Sequence, residues 1–219
     1  MKIQRIFILF FSLCTLGVLA QAQQDSIKPK WQYQPNFLIG VDVLGAGVSA
    51  FSKQKKFQFF VASQIKGRYN GIVEGGFAKN VYDKNAYNAT AEGYYAKLGA
   101  FYMMVTDTKN PKNGFYTGVK LAASIYAQEY QSVPTKGSNG QIFKTAFPKT
   151  NQSSYWAEAT IGGRVQLFSS SFFIDVNAQP RYLVYTTKQD DIMPMIIPGF
   201  GKSSTKFNMG VAWSIAYYF

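Results

Sequence analysis

The sequence contains no histidine, and its single cysteine, Cys14, lies near the N-terminus. Without histidine, the Ser–His and Asp–His pairings on which most hydrolases and acyltransferases depend cannot be built. With no cysteine after position 14, disulfides and zinc sites of ordinary type are excluded as well. Charge is sparse: charged residues make up 16% of the chain, fewer than the 17% that are aromatic. Acidic groups are the scarcer sign, 11 Asp and Glu against 23 Lys and Arg. No P-loop or dinucleotide glycine pattern occurs. Beyond the N-terminus, no apolar run is long enough to cross a membrane as a helix. These absences point away from an enzyme, a cofactor, a metal site and a helical membrane bundle. Asp190-Asp191 is the best carboxylate pair for calcium, and a solvated loop pair is the favoured reading of it.

Residues 1–22 read as a cleavable secretory signal peptide. Lys2 and Arg5 form a basic start, Ile6 to Ala20 an apolar core, and Ala20-Gln21-Ala22 a small-residue cleavage site. Residues 23–36 are polar, carry Pro29 and Pro35, and read as a short lead. The formal charge of +12, less Lys2 and Arg5, leaves +10 on an exported chain. Its basic residues are scattered, so no nucleic acid is expected, and anionic lipid phosphates are the expected counter-charge.

The remainder, 37–219, reads as one domain of eight alternating segments: 37–44, 57–66, 69–78, 94–103, 115–126, 155–167, 172–182 and 207–219. The last is the clearest. Phe207, Met209, Val211, Trp213, Ile215, Tyr217 and Phe219 alternate with smaller or polar residues up to the final Phe. A period of two is that of a strand with different surroundings on its two faces. A bulky apolar face running to the chain end suits a strand covered by lipid.

Four features of the set point to an all-β, eight-stranded antiparallel up-and-down transmembrane barrel with short periplasmic turns and long outer loops. Connections alternate between short (67–68, 106–114, 168–171) and longer, the longest being Ala127–Ser154 and Val184–Lys206. The proposed outer face of every strand lacks charge. The inner face carries Asp42, Glu74, Glu158 and Asp175 with Lys97, Lys120, Arg164 and Arg181, balanced to form a structural ion network. Aromatics fall at strand ends in two girdles: Phe37, Tyr69, Tyr102, Phe115, Phe172, Tyr217 and Phe219, then Phe57, Phe77, Tyr94, Tyr155, Tyr182 and Phe207. Phe60, Ile72, Phe101 and Phe173 also point inward, and Pro180 is expected to mark a bulge or an early end to pairing.

Tyr95-Ala96-Lys97-Leu98-Gly99, the Tyr155-Trp156-Ala157-Glu158 strand, Ile197-Pro198-Gly199-Phe200 and Gly210-Val211 resemble a group of small Bacteroidota proteins, the domain of unknown function 6048 family. More generally, the pattern is similar to eight-stranded barrels of the OmpX and OmpA type. The resemblance implies a small outer-membrane-type barrel and carries no known activity. The terminal strand, with Gly210, Tyr217 and Phe219, is similar to the signal read by the barrel-assembly machinery.

The expected protein is a non-enzymatic outer-membrane barrel with a structural or loop-mediated role and an unidentified surface partner. A narrow, porin-like pore and a soluble periplasmic calycin-like barrel holding a small apolar ligand are the alternatives. The two longest loops are expected either to carry recognition or to pack together as a cap over the lumen.

Overall fold

The computed structural model describes residues 36–84, 86–136, 140–189 and 192–219. The expected signal peptide, all of the lead except Asn36, and the Asp190-Asp191 pair lie outside the described residues. Strands β1 (Phe37–Asp42), β2 (Lys55–Lys66), β3 (Tyr69–Lys84), β4 (Tyr87–Thr106), β5 (Gly114–Lys136), β6 (Ile142–Gln166), β7 (Phe172–Thr186) and β10 (Phe207–Tyr218) form a closed antiparallel barrel. Two short strands, β8 (Ile196–Ile197) and β9 (Gly201–Lys202), pair within the connection before β10. Each barrel strand pairs with its neighbour in sequence, and β10 closes the ring by pairing with both β7 and β1.

Alternation explains the wall. On β10, Phe207, Met209, Val211, Trp213, Ile215 and Tyr217 face outward and exposed, while Gly210, Ala212, Ser214, Ala216 and Tyr218 face inward and buried. The same parity recurs around the ring, with Val73, Leu98, Leu121, Ile161 and Val176 outward. The aromatic girdles meet across strands. Tyr69 lies 4.9 Å from Tyr102 and Phe172 5.0 Å from Tyr217 at the end carrying the short turns. At the opposite, loop end Phe77 lies 5.2 Å from Tyr94.

The long connections do gather at one end, but two of them are built as strand. Residues 79–84 and 87–93 extend β3 and β4, and most of 127–154 extends β5 and β6. Cross-strand bonding continues there because these residues keep paired partners, such as Lys79↔Glu92 and Tyr130↔Phe147. Pairing also runs through Pro180, which sits opposite Met209 of β10. The β6–β7 pairing is broken between Ile161↔Ala178 and Glu158↔Arg181, where a missing N–H is tolerated, so β7 does not end early.

The first segment departs most from expectation. Its last residues, Val43 and Leu44, are not strand but the start of helix α1 (Val43–Phe51). Asp42 is the N-cap: its Oδ1 accepts from Gly45 N at 3.1 Å, and its Oδ2 pairs with Lys56 Nζ at 2.7 Å. A Cβ on Gly45 would lie 2.6 Å from the Asp42 carboxylate, so the capped first turn needs glycine there. We expect Asp42→Ala to lower the urea unfolding midpoint more than Asp42→Asn, by about 1 kcal/mol in stability, because asparagine keeps the cap. Equal midpoints for the two variants would show that the cap contributes nothing.

Candidate functional site

A closed ring of eight strands has an interior that side chains can fill, and this interior is filled in layers. Nearest the turn end, Leu38, Phe60, Phe101, Met103, Phe173 and Tyr218 form an apolar cluster with Ile72 against it. The four inward apolar residues noted in the sequence therefore belong to one layer, fitted by small partners. A Cβ on Gly40 would lie 2.3 Å from the Phe60 ring.

The charged layer comes next. Register places its members directly opposite one another: Glu74↔Lys97, Lys120↔Glu158, Glu158↔Arg181 and Arg164↔Asp175. Lys97 Nζ lies 3.0 Å from Glu158 and 3.3 Å from Glu74. Lys120 Nζ lies 2.7 Å from Glu74, and Arg181 Nε 2.9 Å from Glu158. Arg164 Nε donates to Asp175 at 2.9 Å as a separate pair. All of these side chains are buried. Isolated, each would be costly to bury; paired and hydrogen-bonded, they can be held.

Seven of the eight charged residues picked from the sequence thus converge on this layer in two groups. Asp42 does not join them. It caps α1 and pairs with Lys56, which lies just before the second predicted segment. The neutral members were also missed. Trp156 Nε1 donates to Glu158 at 2.7 Å, Tyr116 Oη to Asp175 at 2.6 Å, and Tyr95 Oη to Gln58, whose amide donates to Glu74 at 3.2 Å. Their inward parity was the available signal. Gly210 makes room for the Arg181 guanidinium, since a Cβ there would lie 2.3 Å from Nη2. An internal cavity of about 20 Å³ between the two charged groups is lined by Glu74, Tyr116, Lys120, Thr160, Arg164 and Asp175, room for about one water.

Above the charges lies an apolar layer of Tyr95, Tyr126, Trp156 and Leu183, with Ile197 and Phe200 inserted from the β8–β9 segment. Phe200 packs edge-on against Trp156 at 5.8 Å between centroids. Its carbonyl accepts from Arg181 Nη1 at 2.9 Å and Asn208 Nδ2 at 3.0 Å. Gly199 turns the segment at φ +80°, and a Cβ there would lie 2.5 Å from the Tyr95 ring. Tyr130 Oη donates to Met193 O at 2.9 Å, tying the same connection to β5. Of the two roles open to the connection before β10, capping the lumen is the one its packing describes. The turn end is different: there a recess of about 420 Å³ opens between Arg68, Asn70, Met103, Asn110, Lys112 and Tyr218. No cluster of metal-ligating side chains occurs among the described residues.

The fold and its interior define a class, the small eight-stranded antiparallel barrel whose lumen is filled by an ion-paired layer and capped at one end. Within that class the chain belongs to a particular family: residues 2–219 match the model described as Domain of unknown function (DUF6048). No curated protein matches the sequence.

Two variants probe the site. Glu158→Gln removes the anion shared by Lys97, Lys120 and Arg181, and we expect it to cost roughly 3–5 kcal/mol in unfolding free energy. Phe200→Ala should cost roughly 3–5 kcal/mol as a buried aromatic truncation. A Phe200→Ala barrel with the parental midpoint would show that the cap is not part of the stable core.

Proposed function

We propose that this protein is a non-enzymatic outer-membrane barrel with a structural or surface-interaction role. The observation that carries the reading is the outer wall. Uncharged apolar side chains face outward on every strand, bounded at both ends by aromatic residues, while the charges face inward and pair. The ten residue steps from Phe207 to Tyr217, at ~3.4 Å each and tilted ~40°, give a band roughly 26 Å tall, matching a hydrocarbon core. Exported proteins of this kind need a leader, and residues 1–22 supply its pattern. The packed interior argues against a pore and against a soluble barrel with an apolar ligand chamber, since ligand chambers are roomy and mostly apolar.

Any surface partner belongs at the loop end, where the β5–β6 extension stands beyond the girdle with Ile142 and Phe143 exposed. The C-terminal strand, ending in exposed Phe219, fits recognition by the barrel-assembly machinery.

Fractionation tests the location: the mature protein should sediment with the outer membrane, require detergent, and shift its gel mobility on boiling. Recovery in the soluble periplasmic fraction would overturn the proposal. Leu98→Arg adds a sharper check. It places a charge outward at mid-wall, at a cost of roughly 2–4 kcal/mol in lipid. A soluble barrel would tolerate that change with its urea midpoint intact.

A further inference from the structure

The barrel wall is interrupted on one side. β1 pairs with β10 only over Leu38↔Tyr218 to Asp42↔Ser214, and with β2 only over Phe37↔Ser63 to Val41↔Phe59. Towards the loop end, residues 207–213 of β10 and 55–58 of β2 therefore face each other across a notch with no strand between them. Helix α1 fills it, packing against both β2 and β10. An unpaired sheet edge in hydrocarbon must be covered or satisfied, and α1 does this on the β2 side. Ser49 Oγ donates to Lys56 O at 3.0 Å and accepts from Lys56 N at 2.5 Å, and Lys55 Nζ donates to Ser49 O at 2.7 Å. Among the described residues, the hydrogen bonds that tie α1 to the wall run to β2, so the α1–β10 side is an apolar seam.

The helix turns its apolar residues outward rather than inward. Val43, Leu44 and Val48 are exposed and Phe51 is 94% exposed, while Gly45 alone is buried. This strip continues the outward face of β10 at Met209, Val211 and Trp213. Just past the girdle residues Phe57 and Phe207, at the head-group level of the membrane reading, the notch is bracketed by Lys53 and Lys55 on one side and Lys206 on the other. All three are exposed. Among the described residues none of them is ion-paired, in contrast to Lys79 and Lys149, which share Glu92, and Lys56, which is held by Asp42.

Resting on the membrane reading above, we infer that the outer surface of this helix-filled notch is a seat for a lipid with an anionic phosphate head group. Its acyl chains lie along α1 and the outward face of β10, and its phosphate meets Lys53, Lys55 and Lys206. Charge complementarity selects the occupant: an apolar strip alone would accept any lipid, but three cations without carboxylate partners at head-group height favour one bearing negative charge.

The refolded mature barrel in neutral detergent, titrated with dioleoyl phosphatidate or dioleoyl phosphatidylcholine and read by native mass spectrometry, tests this. Phosphatidate should be retained at least ~5-fold better, the equivalent of one lysine near a head group. The K53Q/K55Q/K206Q variant should fall to the phosphatidylcholine level, whereas K109Q/K112Q at the opposite end should match the parent. V48S/F51S should weaken retention of both lipids. Equal retention of the two lipids by the parent, an undiminished preference in the triple-lysine variant, or full displacement by inorganic phosphate would each overturn the seat. The same preparation, checked for heat-modifiability and insertion into dioleoyl phosphatidylcholine vesicles, separates the two readings. A barrel that inserts without lipid preference defeats the seat alone, and one that does not insert defeats the membrane reading.

Discussion

Glu158 is the residue on which the interior depends. Its carboxylate accepts from Trp156 and Lys97, and it sits within ion-pair distance of Lys120 and Arg181. It therefore joins β4, β5, β6 and β7 across the lumen. Apolar layers on both sides keep these groups buried, which strengthens each pairing and raises the penalty for any group left unpaired. Specific ionic geometry in such a place selects one register among those that alternation alone allows, because a slip of two residues keeps every charge inward yet takes Glu74, Lys120, Glu158 and Arg164 away from the partners directly opposite them.

The strand set, its order and the two faces were legible in the sequence because a period of two is a direct consequence of pleating, and because charge falls on one parity of the strands and is missing from the other. The charged layer was legible for the same reason. Lys97 and Leu98 are neighbours with opposite environments, and parity alone assigns them. What parity cannot report is height along the barrel. Asp42 shares the inward parity of Glu74, yet its chain leaves the sheet at that point, so it pairs with Lys56 and caps a helix.

Helix α1 was hidden because Val43 continues the alternation begun at Phe37, and two glycines weaken the helical pattern that follows. The strand extensions were hidden because 127–154 is polar and contains Pro134 and Pro148, residues that usually mark loops. Here they sit in a hairpin beyond the body of the barrel, where β5 has lost β4 as a partner at Pro134 and β6 has lost β7 at Pro148, and a missing N–H on an open edge costs little. The cap was half legible: its apolar residues stood out, but nothing in one sequence says whether such residues meet a partner or their own barrel.

The uneven seams have a mechanical consequence. β5 and β6 are joined through twenty paired positions, β7 and β10 through eleven, and β1 through only five to β10 and five to β2. A ring is as strong as its weakest joint, and this one concentrates its weakness on either side of one short strand, β1. The curved sheet β2 to β10 can form as an open ribbon before β1 closes it. Tearing under load should start at the same place, with the ribbon left largely intact after the first few bonds have gone.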